Sequence, residues 1–238
     1  MIGTQHTFSP QRPAMIPSLV PGDRLTRVEF ERQYNVTPSD NYELIEGVVY
    51  MASPVKAKGH STPDNIIQTW LGNYCADTPG TNAGANGSIR LDIENMPQPD
   101  AWLIIEPSHG GQAVYSDDNY IEGAPELIVE NANTSAGIDL HDKLRAYRRN
   151  SVREYIVWRT FDQQIDAFTF RDGDFHKADL PADGILKSEV FPGLWLDTRA
   201  TLAHDRAKIN ATLSQCLATP EHAGFVEKLK RRAGEKKG

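Results

Sequence analysis

The sequence predicts an α/β protein, because short buried β-strands and amphipathic helices follow one another along most of its length. Three runs of apolar and β-branched residues, each bounded by turn residues, indicate strands: Ala101–Ile105 (AWLII), residues 126–130 (ELIVE) and Glu154–Arg159 (EYIVWR). From Thr198 onward the pattern is helical. We therefore expect a central β-sheet flanked by helices, with a C-terminal helical appendage.

Four elements are predicted ahead of the first of these strands. Residues 1–22 contain four prolines and predict an extended or disordered N-terminal arm. Residues 25–34 fit a short amphipathic helix capped by Thr26. Residues 42–51 predict a strand in which Gly47 marks a turn or bulge, and residues 62–74 predict a helix with one apolar side.

The second half continues the alternation. Residues 140–149 predict a helix with Asp139 as its N-cap and Asn150 at its C-terminal stop. Residues 164–170 predict a strand that enters a hairpin turn at 171–174, and the terminal helical pattern breaks at Pro220. The expected organisation is an arm (1–22), a main domain (23–200) and a C-terminal helical segment with a basic tail (201–238).

Composition limits the class of protein. The chain has 238 residues and 39% hydrophobic content, which suits one domain of moderate size with a real core. Its cysteines, Cys75 and Cys216, have no metal-ligand spacing, so neither a zinc site nor a disulfide framework is expected. No apolar run approaches the roughly 20 residues of a membrane helix and no secretory signal is evident, so we expect a cytoplasmic protein without membrane partners.

The charge balance is acidic. A formal net charge of −7 disfavours general attraction to nucleic acid, because phosphate contacts need lysine and arginine. The basic residues nevertheless cluster in two places: Arg145, Arg148, Arg149 and Arg153 around the central helix, and Lys228, Lys230, Arg231, Arg232, Lys236 and Lys237 near the C-terminus. Such runs are usually solvated faces, so they support a nucleic-acid partner only weakly.

Two carboxylates flank the first two strands. Asp100 precedes Ala101–Ile105 and Glu130 ends residues 126–130. If the two strands pair antiparallel, these acids converge at one edge of the sheet, whereas parallel pairing leaves them roughly 16 Å apart. Taken singly, Asp100 reads as a turn residue and Glu130 as a charged strand end.

Converging carboxylates suit a hard divalent cation. Mg²⁺ takes one or two carboxylates and keeps several waters, and it can activate a water for attack on a phosphodiester. Lys143 lies on the following helix at the flank of the stripe formed by Leu140, Leu144 and Tyr147, so its ammonium could offset charge on the reacting phosphate. Taken alone, Lys143 reads as a solubilising residue.

An ordered set of motifs from about residue 25 to 202 resembles the Uma-type restriction endonuclease family, a branch of the PD-(D/E)XK nuclease superfamily. The motifs, in chain order, are YELIEG (42–47), Ser53-Pro54 with His60, Pro99-Asp100, APELIVE (124–130), Asp142-Lys143 with Tyr147, VREY (152–155) and SEVFPGL (188–194). The resemblance implies a restriction-endonuclease-like core with a mixed sheet.

The resemblance also implies roles for individual residues. Asp100 and Glu130 would be the metal ligands, Glu43 a further acidic member of the catalytic site and His60 a contact to phosphate or water. The superfamily lysine two positions after the second acid is replaced by Ala132 and maps to Lys143 on the next helix. Asn131 also departs from the family pattern. The polar connection 106–123 is expected to be a mobile loop near this site.

Two classes of function follow from these expectations. The first is a Mg²⁺-dependent endodeoxyribonuclease, with Mn²⁺ as a substitute metal and a homodimer if both DNA strands are cut. The second is a nuclease-fold module that has lost cleavage and acts in DNA binding or protein interaction, which Asn131 and the acidic charge favour. A purely structural assembly domain is expected only if the acids lie far apart.

Overall fold

A computed structural model describes residues 15–38, 41–51, 60–133 and 135–235. The predicted arm therefore lies largely outside the described residues, as do the Ser53-Pro54 pair of the motif set and the basic residues Lys236 and Lys237. Within the described ranges, no helix combines the length and the apolar character that crossing a membrane requires.

The structure contains both helices and strands, as the sequence predicts, with several short strands in addition. The helices are α1 (Arg27–Tyr34), α2 (Thr62–Asp77), α3 (Leu144–Arg149), α4 (Thr198–Leu202), α5 (Arg206–Leu217) and α6 (Pro220–Glu235). The strands are β1 (Tyr42–Ile45), β2 (Val48–Met51), β3 (Thr81–Gly84), β4 (Ile89–Arg90), β5 (Ala101–Ile105), β6 (Val114–Tyr115), β7 (Ile121–Glu122), β8 (Leu127–Ala132), β9 (Glu154–Arg159), β10 (Gln164–Arg171), β11 (Asp174–Lys177), β12 (Ile185–Lys187) and β13 (Trp195–Asp197).

A six-stranded mixed sheet in the order β11-β10-β9-β8-β5-β3 forms the centre of the fold. The β8 and β9 strands are parallel, and every other pair in this sheet is antiparallel. The parallel pair needs a crossover, which α3 supplies. The β1–β2 hairpin and a small sheet of β4, β7 and β6 stand beside it.

The two faces of the sheet bury different helices, because successive strand residues point to opposite sides. On one face, Leu127 and Val129 pack with α2 and with α5 and α6 of the C-terminal segment. On the other face, Ile128 packs with Tyr147 of α3 and with Tyr155. The C-terminal helices therefore share the main hydrophobic core with the sheet.

Local sequence signals account for several of these elements. The α1 helix begins at the predicted cap, where the Thr26 hydroxyl accepts from Glu29 N and the Glu29 carboxylate accepts from Thr26 N. Gly47 lies in the tight turn between β1 and β2 with φ of +74°. The hairpin predicted at 171–174 joins β10 to β11.

Two expectations are wrong. Asp139 is not an N-cap: it lies inside a π-helical stretch, Ile138–Lys143, that precedes α3, because its buried carboxylate accepts from the Ser135 hydroxyl and faces Lys143. The connection 106–123 is not an irregular loop throughout: it leaves β5 at Ile105, the end of that strand opposite Asp100, and carries β6 and β7.

Candidate active site

Antiparallel pairing of β5 with β8 brings Asp100 beside Glu130. Ala101 is opposite Val129 in this ladder, so the residues one step further out face each other at the sheet edge. The Asp100 backbone N–H lies 3.4 Å from Glu130 Oε2, and the Asn131 N–H donates to Asp100 Oδ2 at 2.7 Å. The geometric condition that the sequence left open, antiparallel pairing, is therefore met.

The ammonium of Lys143 lies between carboxylates from three elements. Its Nζ is 2.9 Å from Glu130 Oε1, 3.0 Å from Glu43 Oε2 on β1 and 3.7 Å from Asp139 Oδ1. The side chain was predicted on the flank of the helical stripe, but it is buried: Lys143 is only 6% exposed, whereas Leu140 and Leu144 of that stripe are partly exposed. The prediction went wrong because the buried partners come from distant parts of the chain.

Among the described residues, Glu130 is held mainly through one of its two carboxylate oxygens. Its Oε1 accepts from Lys143 and from the Tyr147 hydroxyl, the latter at 2.8 Å. Its Oε2 faces the backbone of Asp100, and among the described residues it accepts a single long hydrogen bond. Since a carboxylate oxygen has two lone pairs, Oε2 keeps acceptor capacity on the Asp100 side.

Burial and crowding of acids change the protonation of the site. Burial raises the pKa of Asp100 well above its ordinary value, and the nearby charges of Glu130 and Asp64 raise it further. Burial likewise raises the pKa of Glu43, and that of Asp139 to about 7. Burial alone would lower the pKa of Lys143, but its three carboxylate neighbours outweigh this and raise it well above normal, so the ammonium stays charged.

His60 stands on the other side of Asp100, where α2 begins. Its Nδ1 is 2.6 Å from Asp64 Oδ2, and its Nε2 is 3.5 Å from Asp100 Oδ1. The hydrogen bond to Asp64 raises the pKa of the imidazole, and the charge of Asp100 adds to that effect. The structure therefore brings all five predicted site residues together: Glu43, His60, Asp100, Glu130 and Lys143.

Sequence reasoning missed three side chains that contact these residues. Asp64 follows His60 by four positions, a helical spacing that could have identified it. Asp139 was misread as a helix cap. Tyr147 was named in the hydrophobic stripe and in the motif set but was given no polar role, although its hydroxyl donates to Glu130.

The donor set fits a divalent cation. Ligand atoms of His60, Asp64 and Asp100 lie within 4.8 Å of one another. Asn131, which is 1% exposed, donates its Nδ2 to Asp64 Oδ1 at 2.6 Å, while its own Oδ1 has no hydrogen-bond partner among the described residues. A buried acceptor of this kind calls for a water or an ion nearby.

A known protein family matches most of the chain. The family Uma2, described as "Putative restriction endonuclease", matches residues 27–199, which is most of the chain. The chain belongs to the Uma2 family. The resemblance identified from the sequence motifs is thus confirmed, and membership of Uma2 supports a nuclease function in general terms.

A solved structure agrees with this fold. The crystal structure of "a putative nuclease belonging to DUF820" from Anabaena variabilis superposes with a TM-score of 0.54 over 79% of this chain and 99% of that one. At 11% identity the likeness concerns the fold alone, and it confirms the predicted nuclease-like α/β architecture. No curated protein matches the chain significantly.

Proposed function

We propose that this Uma2 protein is a Mg²⁺-dependent endonuclease that hydrolyses DNA phosphodiester bonds, with Asp100 and Glu130 as metal ligands. One observation carries the proposal. The antiparallel β5–β8 pair sets the two acids side by side, and a buried ammonium stands next to Glu130, 2.9 Å from its Oε1. Carboxylates, a cation site and a nearby fixed positive charge suit phosphoryl chemistry.

Each residue has a role that follows from its contacts. Lys143 and Tyr147 occupy Glu130 Oε1, which directs Oε2 towards Asp100. Asp100 and Glu130 would hold Mg²⁺, or Mn²⁺ in its place; the bound ion supplies Lewis-acid polarisation of phosphate and lowers the pKa of an attacking water.

Lys143 supplies the fixed positive charge. An ammonium has three N–H donors, and the hydrogen bonds to Glu130 and Glu43 use two of them. Asp139 Oδ1, at 3.7 Å, is too far to accept a hydrogen bond from the third N–H, which can therefore serve a phosphate oxygen as negative charge develops on it. Glu43 keeps this ammonium in place and is itself fixed by the Gln98 N–H at 3.2 Å.

Substrate and assembly extend the proposal. The substrate is DNA, and a homodimer would present two such sites to the two strands of a duplex. The chain would then act as a hydrolase on ester bonds. Sedimentation at micromolar concentration, with and without duplex, tests the dimer independently of cleavage.

The test is isothermal titration of Mg²⁺ and Mn²⁺ into wild type, Asp100→Asn and Glu130→Gln, with plasmid nicking measured on the same samples. Asp77→Asn, an exposed carboxylate at the other end of α2, is the matched control. We expect both site variants to lose Mg²⁺ binding and nicking and the control to keep both. A folded wild type that binds no metal and cuts nothing would refute the enzyme and favour a binding module.

A further inference from the structure

A second set of groups meets at Asp100, around its Oδ1 atom. Asp100 Oδ2 is occupied by the Asn131 N–H, whereas Oδ1 faces His60 Nε2. This pair is not a hydrogen bond of normal length: the atoms are 3.5 Å apart, against roughly 2.7–3.2 Å for N–H···O contacts. Two ligands about 2.0–2.2 Å from one ion stand roughly 3 Å apart in an octahedral site and roughly 3.4 Å apart in a tetrahedral one, so the observed separation is close to what a shared ion needs.

The far side of the imidazole is fixed as it is in metal sites of proteins. Asp64 Oδ2 lies 2.6 Å from His60 Nδ1, so the carboxylate accepts a hydrogen bond from the Nδ1–H group. The lone pair of Nε2 is then available to bind a metal ion. Carboxylates placed behind ligating histidines orient the ring and increase its basicity.

Asp64 is fixed in turn by Asn131. The amide Nδ2 of Asn131, which comes from β8 next to Glu130, donates to Asp64 Oδ1 at 2.6 Å. The Asn131 Oδ1 is buried without a partner among the described residues, and a metal-bound water would satisfy it. The residue that departs from the family pattern thus belongs to a connected chain of contacts: Asn131, Asp64, His60 and Asp100.

We propose that His60 Nε2 and Asp100 Oδ1 bind a divalent first-row transition-metal ion, with Asp64 and Asn131 as positioning residues. The site goes beyond the proposed Mg²⁺ pair, although it shares Asp100 with it. An imidazole ligand selects for Mn²⁺ or Zn²⁺ over Mg²⁺, which prefers oxygen ligands. The protein would therefore have two cation positions with different preferences.

The test uses Mn²⁺ as the probe and needs no nucleic acid. Mn²⁺ and Mg²⁺ affinities are measured by titration on wild type, His60→Ala, His60→Gln and Asp64→Asn, and spin-echo modulation from ¹⁴N reports an imidazole ligand on bound Mn²⁺. His176→Ala, an exposed histidine on β11, and Asp77→Asn are the matched controls. Circular dichroism confirms that each variant is folded.

We expect both His60 variants to lose the ¹⁴N modulation and to bind Mn²⁺ at least about tenfold more weakly, with Mg²⁺ affinity changed less than about twofold. Asp64→Asn should weaken Mn²⁺ binding by about 10- to 100-fold yet keep the modulation at saturation, as a positioning residue does. Controls should match wild type.

Two results would overturn the inference: wild type without ¹⁴N modulation, or a His60→Gln variant that binds Mn²⁺ as wild type does. The experiments distinguish failure of the transition-metal site from failure of the proposed nuclease function. If Glu130→Gln keeps the modulation while wild type nicks no plasmid, the transition-metal site stands and the nuclease proposal fails. If wild type nicks plasmid but shows no modulation, the reverse holds.

Discussion

The ammonium of Lys143 offsets the negative charge of several buried carboxylates. Glu130, Glu43 and Asp139 all approach it, and both Lys143 and Glu130 are almost fully buried. Buried charges are tolerated when paired, but removal of one partner leaves the others uncompensated. Lys143 should therefore stabilise the fold, in addition to its proposed catalytic role.

Lys143→Met should destabilise the protein strongly, by about 3–5 kcal/mol, because it leaves buried carboxylates without a counter-charge. Urea denaturation measures the change. Combining it with Glu43→Gln should recover part of the loss, since one of those charges is then absent. Lys208→Met removes an exposed ammonium 3.4 Å from Asp197 and should cost no more than about 0.5 kcal/mol. If Lys143→Met is as stable as Lys208→Met, Lys143 does not neutralise the buried carboxylates.

Asp139 should make stability depend on pH. Burial raises its pKa in the folded protein from 3.8 to about 7, so the folded state holds the proton more tightly than the unfolded state. The stabilisation that this proton provides is complete below about pH 4 and is lost as pH rises through about 7.

Asp139→Asn removes this dependence and should raise the Tm relative to wild type at pH 8 but not at pH 4. A gain of roughly 2–4 °C is expected for each kcal/mol recovered. Calorimetry across this pH range, with Asp77→Asn as control, measures it. An equal Tm difference at both ends of the range would show that the carboxyl group is not perturbed.

The β1–β2 hairpin positions Glu43, and its turn depends on a left-handed backbone. Glu46 and Gly47 have φ of +50° and +74°. Gly72 provides a contrast, because it lies exposed on α2 and a Cβ added there would meet no atom within 4 Å. The two glycines should therefore respond oppositely to the same substitution.

Gly47→Ala should cost about 1 kcal/mol or more, since an L side chain is strained at this φ. Gly72→Ala should stabilise by about 0.5–1 kcal/mol, because alanine is the better helix former. Chemical denaturation measures both. If Gly47→Ala is neutral, the hairpin turn is not the one described.

Elements differ in how far the sequence determined them. The strands β5 and β9 were predicted at their observed bounds, because a short β-branched run between turn residues carries its own boundary signals. The π-helical stretch before α3 was not, since Lys143 within it makes a buried contact with Glu43, 100 residues away along the chain. The periodicity of apolar residues predicts which face of a helix is buried, but it does not predict which charged residue is buried with that face.

The same distinction applies to the site. Asp100, Glu130 and Lys143 were identifiable by type and order, and their convergence depended on one pairing that the sequence left open. The Asn131 amide joins the site through its contact with Asp64, which lies 67 residues away along the chain, and no local pattern predicts that contact.

At the scale of the whole molecule, the charge distribution governs access of a polyanion. The net charge is −7, and the exposed arginines of α3 are ion-paired: Arg145 with Glu46, Arg148 with Asp174 and Arg149 with Glu46, Asp92 and Glu94. The carboxylates of the proposed metal site add to this negative charge. A bound divalent cation would invert this local field.

Duplex DNA should therefore bind weakly in EDTA and at least about tenfold more tightly with Ca²⁺, a hard cation that takes the same oxygen ligands. Fluorescence anisotropy at matched ionic strength measures this. The gain should vanish in Asp100→Asn and persist in Asp77→Asn. Equal affinity with and without Ca²⁺ would show that binding does not pass through the acidic site.

The most direct test of the site is the rate of nicking of supercoiled plasmid against Mg²⁺ concentration, for wild type and Glu130→Gln. Glu130 is the residue on which the β5–β8 pairing, Lys143 and Tyr147 converge. The site described here predicts a wild-type rate that rises with Mg²⁺ to saturation and a variant rate lower by about a hundredfold or more. A variant that nicks as fast as wild type would contradict it.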